Sequence, residues 1–178
     1  MSKRPRQVSK PKTIFKNKYI NLYSIIANFD EGQREYFVSD RGERCGVIII
    51  NNQNILLVRQ YRYIINDLSW EIPGGGVDKR EHPQTAARRE AMEEAGVECG
   101  DLEPFFSYQQ GVDTTFNPTH LFVTKNSTVS EGLFNSETDK RQWFKFSVAL
   151  DMVIDGTIKD SMTILAILLY KIRNIDNS

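Results

Sequence analysis

The sequence predicts an α+β fold, with strands surrounding one central and one terminal helical region. Three observations carry that expectation. Runs of apolar and β-prone residues recur at 19–29, 46–50, 55–58 and 119–124. A stretch of good helix formers without a breaker, residues 84–95, occupies the middle of the chain. A second apolar helix follows Asp160 and runs to about Arg173.

The central helix has readable ends. Pro83 suits a first turn, where a missing N–H costs nothing. Gly96 supplies the left-handed residue that commonly ends a helix. At 100° per residue, Ala87, Ala91 and Ala95 form a small apolar stripe that permits close approach to a sheet. Glu90 and Glu94 border that stripe, and Glu93 stands one step round, four residues after Arg89. Like-charge pairs at these spacings cost an isolated helix a few tenths of a kcal/mol each. On its own, a glutamate-rich helix reads as a solvated face balanced by Arg88 and Arg89. Crowded carboxylates beside a buried stripe also suit Mg²⁺, which takes oxygen ligands and bridges carboxylates to substrate phosphates.

The remaining elements follow in order. Residues 1–12 hold several Lys and Arg and no acidic residue, and are expected to be a disordered basic tail. Residues 19–29 and 34–39, joined by Asp30-Glu31-Gly32-Gln33, read as a hairpin within an N-terminal extension at 13–42. A hairpin is marginal alone and needs something to cover. Residues 46–50 are a buried strand, 51–54 a turn, and 55–63 a strand that changes to Arg/Tyr alternation. There Arg59 and Arg62 have the planar donor fork that grips phosphate, and Tyr61 and Tyr63 can stack on a base. Gly74-Gly75-Gly76 permits close backbone approach. After the central helix, residues 101–109 read as strand, 110–118 as a polar loop and 119–124 as a returning strand containing His120, taken as structural. His82 is expected to be exposed near the helix start. Residues 127–140 read as a polar connection and 141–146 as a last strand with Trp143. Ser147 is expected to cap a helix over 148–154, stopped by Gly156, and Asp160 or Ser161 to cap the final helix.

Composition bounds the function. A chain of 178 residues is long enough for one domain with a real core. The formal net charge of zero gives no global argument for nucleic-acid or membrane binding. Cys45 and Cys99 have no metal-binding spacing and fit buried free thiols in a reducing compartment. The basic N-terminus is not followed by an apolar run, and the most apolar segment, 164–170, is far shorter than the roughly 20 residues of a membrane span. A soluble cytoplasmic protein is expected.

From Gly75 the chain reads Gly, five residues, Glu81, seven residues, Arg89-Glu90, Ala91, one residue, Glu93-Glu94, one residue, Gly96, Val97. This spacing resembles the complete Nudix box, G-x5-E-x7-R-E-U-x-E-E-x-G-U. At ordinary residue frequencies a chance match at a given start is below about one in 10⁸, which reverses the solvated-face reading. The flanks Leu57-Val58-Arg59-Gln60-Tyr61-Arg62, Trp70-Glu71-Ile72-Pro73-Gly74-Gly75 and Gly156-Thr157-Ile158-Lys159-Asp160 resemble the ADP-ribose and nucleotide-sugar diphosphatase branch of the Nudix hydrolases. That likeness runs from about residue 19 to 172.

The resemblance implies a mixed β-sheet sandwiched between helices over residues 43–178, and a homodimer in which the N-terminal hairpin reaches over the partner. It implies Mg²⁺, with Mn²⁺ as a substitute, held by Glu90, Glu93, Glu94 and the Gly74 carbonyl. Arg89 and Glu81 would orient the glutamates, with Gly75 and Gly96 structural in the motif. Arg59, Arg62, Glu71 and Gly76 would bind substrate, a nucleoside diphosphate sugar such as ADP-ribose or GDP-mannose. The branch usually carries a Ser-Pro-Gly and then a glutamate in the loop after the box. Here that loop reads Tyr108-Gln109-Gln110-Gly111-Val112-Asp113-Thr114-Thr115, with Thr115 where the glutamate is expected. The base therefore stays open among Asp113, Glu137, Glu93 and Glu94. Two other functions also stay open: a dinucleotide or modified-nucleotide pyrophosphatase, and a non-catalytic module that binds a nucleotide sugar.

Overall fold

The computed structural model describes residues 4–130 and 137–174. In chain order the strands are β1 (Gln7–Val8), β2 (Lys12–Lys16), β3 (Asn21–Phe29), β4 (Gly32–Asp40), β5 (Arg44–Asn51), β6 (Asn54–Arg62), β7 (Asp67–Glu71) and β8 (Gly74–Gly76). Helix α1 (Pro83–Ala95) follows, then β9 (Val97–Cys99), β10 (Glu103–Gln109), β11 (Thr115–Phe116), β12 (Pro118–Thr124), β13 (Ser127–Val129) and β14 (Thr138–Lys145). Helices α2 (Phe146–Ile154) and α3 (Ser161–Arg173) complete the described chain.

The chain divides into two compact units. One comprises residues 1–43 and 107–119, the other 44–106 and 120–178. The first is therefore larger than the extension expected at 13–42, because it takes in a segment that the sequence places far away. Its five strands form one sheet in the order β1-β3-β4-β11, with β2 also on β3. Strands β3 and β4 pair antiparallel along their full length, from Asn21 opposite Asp40 to Phe29 opposite Gly32. Strand β11 joins β4 in parallel, so the expected loop 110–118 contains a short strand.

The disordered-tail expectation for residues 1–12 is corrected over its described part. Gln7 and Val8 pair with Asn28 and Ala27, Arg6 forms an ion pair with Asp30, and Ser9 N–H donates to Ile26 O at 2.8 Å. An open strand edge offers unpaired backbone groups that any extended segment can satisfy, whatever its side chains. That pairing leaves no pattern in composition.

The second unit holds a seven-stranded sheet in the order β10-β12-β5-β6-β14, with β7 on β6 and β8 on β5. Strand β5 is buried on both faces from Cys45 to Ile50. Its alternate residues serve different helices. Val47 and Ile49 pack with Ala86, Ala87, Ala91 and Ala95 of α1. A side chain at Gly46 would meet Met162 of α3. Helices α1 and α3 thus lie on opposite faces, the expected sandwich.

The caps fall largely as the sequence indicates. His82, exposed as expected, caps α1 by accepting from Gln84 N–H at 3.3 Å through Nδ1. Gly96 is left-handed at φ 58°, and its N–H closes onto Met92 O. Between the two candidate caps of α3 it is Asp160 that acts, accepting from Thr163 N–H at 2.8 Å. The expected Ser147 cap is corrected. Helix α2 starts at Phe146 with Lys145 as its cap, because Gln53 O takes the Phe146 N–H and the Phe146 ring packs 5.1 Å from Tyr170. Within the polar connection expected at 127–140, Ser127–Val129 pairs with β9 and Thr138–Lys140 already belongs to β14. Residues 131–136 of that connection lie outside the described chain.

Candidate active site

Three glycines deliver the chain to α1. They form β8, antiparallel to β5, with Gly74 opposite Gly46 and Gly75 opposite Cys45. Neither Gly74 nor Gly75 has room for a side chain. A Cβ on Gly74 would overlap the Cys45 carbonyl and stand 2.8 Å from Gly46 Cα. A Cβ on Gly75 would overlap the Glu90 carboxylate. The triplet is therefore a close-approach surface for a carboxylate.

Arg89 organises the box. Its Nε and NH2 donate to the two Glu81 oxygens at 3.2 and 3.0 Å. Its NH1 donates to Glu90 at 2.8 Å and Glu93 at 3.4 Å, and NH2 also donates to Gly76 O at 2.9 Å. The bond from Arg89 holds the Glu81 carboxyl below its ordinary range. Burial pushes Glu90 up, against the pull of Arg89. Glu93 is half exposed. Arg89 thus bonds Glu81, Glu90 and Glu93 together.

Glu94 has a different setting. It is 5% exposed, with Oε1 accepting from Gln60 Nε2 at 2.6 Å and Oε2 from Gly74 N–H at 2.8 Å. Burial pushes its carboxyl up to about 7, although both bonds favour the charged form. The Gly74 group that engages a carboxylate is thus its N–H. Gln60 was not among the residues singled out in the sequence. The available signal was a polar residue at an inward position of a buried strand, alternating with Val58 and Arg62.

Strand geometry separates the two expected substrate arginines. Residues three apart on a strand face opposite sides. Arg62 shares the Gln60 face and forks onto buried Glu71 at 2.8 and 2.6 Å. With Ser69, Lys159 and Asp160 they line an open cavity of about 270 Å³. Arg59 is on the other face. It forks onto Asp139 at 3.0 and 2.8 Å and lies over the Trp70 ring at 5.4 Å. Asp113 belongs to the other unit, where its carboxylate takes the Thr114 N–H at 2.9 Å. Glu137 is exposed immediately before β14. A larger hollow of about 390 Å³, lined by Phe146, Leu150 and Tyr170 among others, holds no box residue.

As the side chains stand, no three His, Cys, Asp or Glu groups among the described residues are gathered to hold a metal ion. Arg89, Gln60 and Gly74 take the carboxylate oxygens instead. The donor chemistry nevertheless fits a hard divalent cation. Three carboxylates border one helix, two of them are desolvated, and the buried Gln60 Oε1 has no hydrogen-bond partner among the described residues. Glu90, Glu93 and Glu94 are the residues that would hold it.

Two outcomes are expected. Gly75→Ala will displace the Glu90 carboxylate and weaken Mn²⁺ binding by about 10- to 100-fold, read by titration. The second concerns pH. Glu94 is raised from an ordinary 4.5 to about 7, so its neutral form is favoured on folding. That contribution is complete below about 4.5 and is lost as pH rises through about 7. Raised Glu90 acts in the same direction. In chelator, the Tm of wild type will therefore fall between pH 5 and 8 more than that of Glu94→Gln. Equal falls would contradict the assignment.

Comparison with known proteins identifies the family. A family model described as NUDIX domain matches residues 40–160. A GDP-mannose pyrophosphatase of Klebsiella pneumoniae is 31% identical over 140 residues, covering 72% of this chain and 70% of that protein. A methanol dehydrogenase activator of Bacillus methanolicus is 29% identical over 163 residues, covering 89% and 88%. A crystal structure of an ADP compounds hydrolase is similar in fold, with a TM-score of 0.83 at 18% identity, covering 99% of this chain and 97% of that one. With the box intact on α1 and the family match spanning both sides of it, the chain belongs to the NUDIX family of hydrolases.

Proposed function

We propose that this enzyme hydrolyses the diphosphate bond of a nucleoside diphosphate sugar in the presence of Mg²⁺, giving a nucleoside monophosphate and a sugar phosphate. The observation that carries the reading is the carboxylate set Glu90, Glu93 and Glu94 on α1, braced by Arg89 and set against a glycine strand. The GDP-mannose pyrophosphatase relative supports the substrate class. A diphosphate bridge carries negative charge that repels water. The divalent cation, when bound, would neutralise that charge and polarise a phosphoryl oxygen. Mn²⁺ would substitute.

The chain's own residues supply the rest. Arg62, held by Glu71 beside the open cavity, is the guanidinium placed to meet a phosphate or sugar oxygen. The exposed Gly76 of β8, the second residue of the box, has its carbonyl engaged by Arg89. Glu93 holds one 3.4 Å contact with Arg89, leaving its oxygens the freest of the three to take a proton from water. Arg59, forked onto Asp139 on the opposite strand face, is the second guanidinium that would meet substrate.

A second reading follows from the Bacillus methanolicus relative, whose name describes action on another protein. The same box then serves a regulatory partner. Cys45 and Cys99 are free and buried, and no helix among the described residues is long and apolar enough to cross a membrane. The buried free thiols support placement in the cytoplasm.

We assign the first unit to a homodimer. One face of its sheet presents Phe15, Ile26 and Phe37, each between 39% and 55% exposed. Apolar surface of this kind is commonly covered by a partner. Light scattering at micromolar concentration should give twice the chain mass, and Phe37→Glu the single mass. A monomeric wild type would reject the assignment.

For the activity, a panel of ADP-ribose, ADP-glucose, GDP-mannose, UDP-glucose, NADH and a diadenosine polyphosphate should show one diphosphate sugar cleaved far above the others. Cleavage will stop with chelator and fall by at least about 100-fold in Glu94→Gln, read by phosphate-coupled assay. Retained turnover in that variant would refute the site. Tight nucleotide-sugar binding without turnover would favour the non-catalytic, regulatory reading.

A further inference from the structure

We infer that Gln60 is a positioning residue for Glu94, setting which lone-pair sites of its carboxylate remain open to a cation. The inference deepens the hydrolase reading and rests on it for its effect on turnover.

Gln60 is 1% exposed on β6, on the face turned to α1. Its Nε2–H reaches Glu94 Oε1 at 2.6 Å, while Gly74 N–H reaches Oε2 at 2.8 Å. The two donors come from different strands, β6 and β8. A carboxylate has about four lone-pair sites. One donor on each oxygen leaves one site on each oxygen, and two donors at separate points fix the carboxylate plane. With Gly74 alone, the plane would be free to turn about the last side-chain bond.

The other half of the amide makes the case independent of that bond. Gln60 Oε1 is buried and has no hydrogen-bond partner among the described residues. A buried acceptor left unpartnered costs stability. Its neighbour along the same strand face, Val58, packs in the apolar core with Ala91 and Ala95. Packing alone at position 60 would be served better by Leu or Met. An amide there supplies a donor to Glu94 and an acceptor beside it. Hard divalent cations such as Mg²⁺ keep several of their waters, and the O–H groups of such waters have the chemistry this carbonyl lacks.

The test compares Gln60→Met, of similar size but without the donor, and Gln60→Asn, which keeps the amide and withdraws it by one methylene. Mn²⁺ binding to the full chain is read by electron paramagnetic resonance, metal-free Tm by thermal melt in chelator, and kcat and KM separately. Both variants should weaken Mn²⁺ binding by at least about tenfold. They should lower kcat with KM little changed, and Gln60→Met should keep or raise the metal-free Tm. Mn²⁺ affinity within about twofold of wild type, with or without a lower Tm, would overturn the inference and leave Gln60 a structural residue. The Mn²⁺ comparison needs no substrate. A wild type that binds Mn²⁺ but cleaves no nucleotide sugar would reject the substrate reading, and the comparison would still decide Gln60.

Discussion

The crowding of negative charge on α1 is the constraint to which the surrounding structure answers. Glu90, Glu93 and Glu94 fall within five residues, and Glu81 comes back to the same place from the preceding loop. Burying carboxylates is costly unless each finds hydrogen-bond donors. One guanidinium serves three of the four, and two amides serve the last. The division has a chemical result. Arg89 holds Glu81 below its ordinary range, while burial pushes Glu94 up to about 7 against its two neutral donors. Like groups are thereby made unlike by their neighbours.

That arrangement requires α1 to sit very close to the sheet. Its buried side is small, with Ala86, Ala87, Ala91 and Ala95, and the strand bearing against Glu90 and Glu94 is glycine alone. Close packing without large side chains gives limited apolar burial, so the helix is also tied by polar clamps. Gln84 donates to Leu102 O at 2.5 Å, Arg88 to Cys99 O, and Arg141 to Ala95 O at the helix end. Arg141 is on β14 and also reaches Ser130 O at 3.2 Å, so it links the end of α1 to the segment after β13. The clamps on Gln84 and Arg88 use variable positions of the box, which explains how those positions contribute without being part of the motif.

What was legible in the sequence was local. The bounds of α1, its alanine stripe, the left-handed Gly96 and the Asp160 cap all depend on residues within a few positions of one another. The box glutamates were legible for the same reason. What was not legible depends on distant pairing. Nothing near residues 7 and 8 records that β3 leaves an edge for them, and nothing near 115 records that it will lie along β4. The first unit therefore takes residues 107–119 from beyond the box, a boundary that no composition shift marks. Nothing near Gln60 records its contact with Glu94, 34 positions away.

The alternation of β6 carries the argument one step further. Val58, Gln60 and Arg62 face α1, whereas Arg59 and Tyr61 face away. Of the polar side chains in Arg59-Gln60-Tyr61-Arg62, two are thus committed to the carboxylates Glu94 and Glu71, and one to Asp139. The fork of Arg62 is matched by both oxygens of a buried Glu71, so this guanidinium is held in one place. A fixed donor loses little freedom on binding, which favours recognition of an oxygen in one place over general attraction to charge. Arg59 is held by an exposed aspartate and an aromatic ring, where water competes. The two arginines look equivalent in the sequence, but only Arg62 shares a strand face with the carboxylates of the box. The period of two residues along a strand, rather than the motif itself, gives them different surroundings.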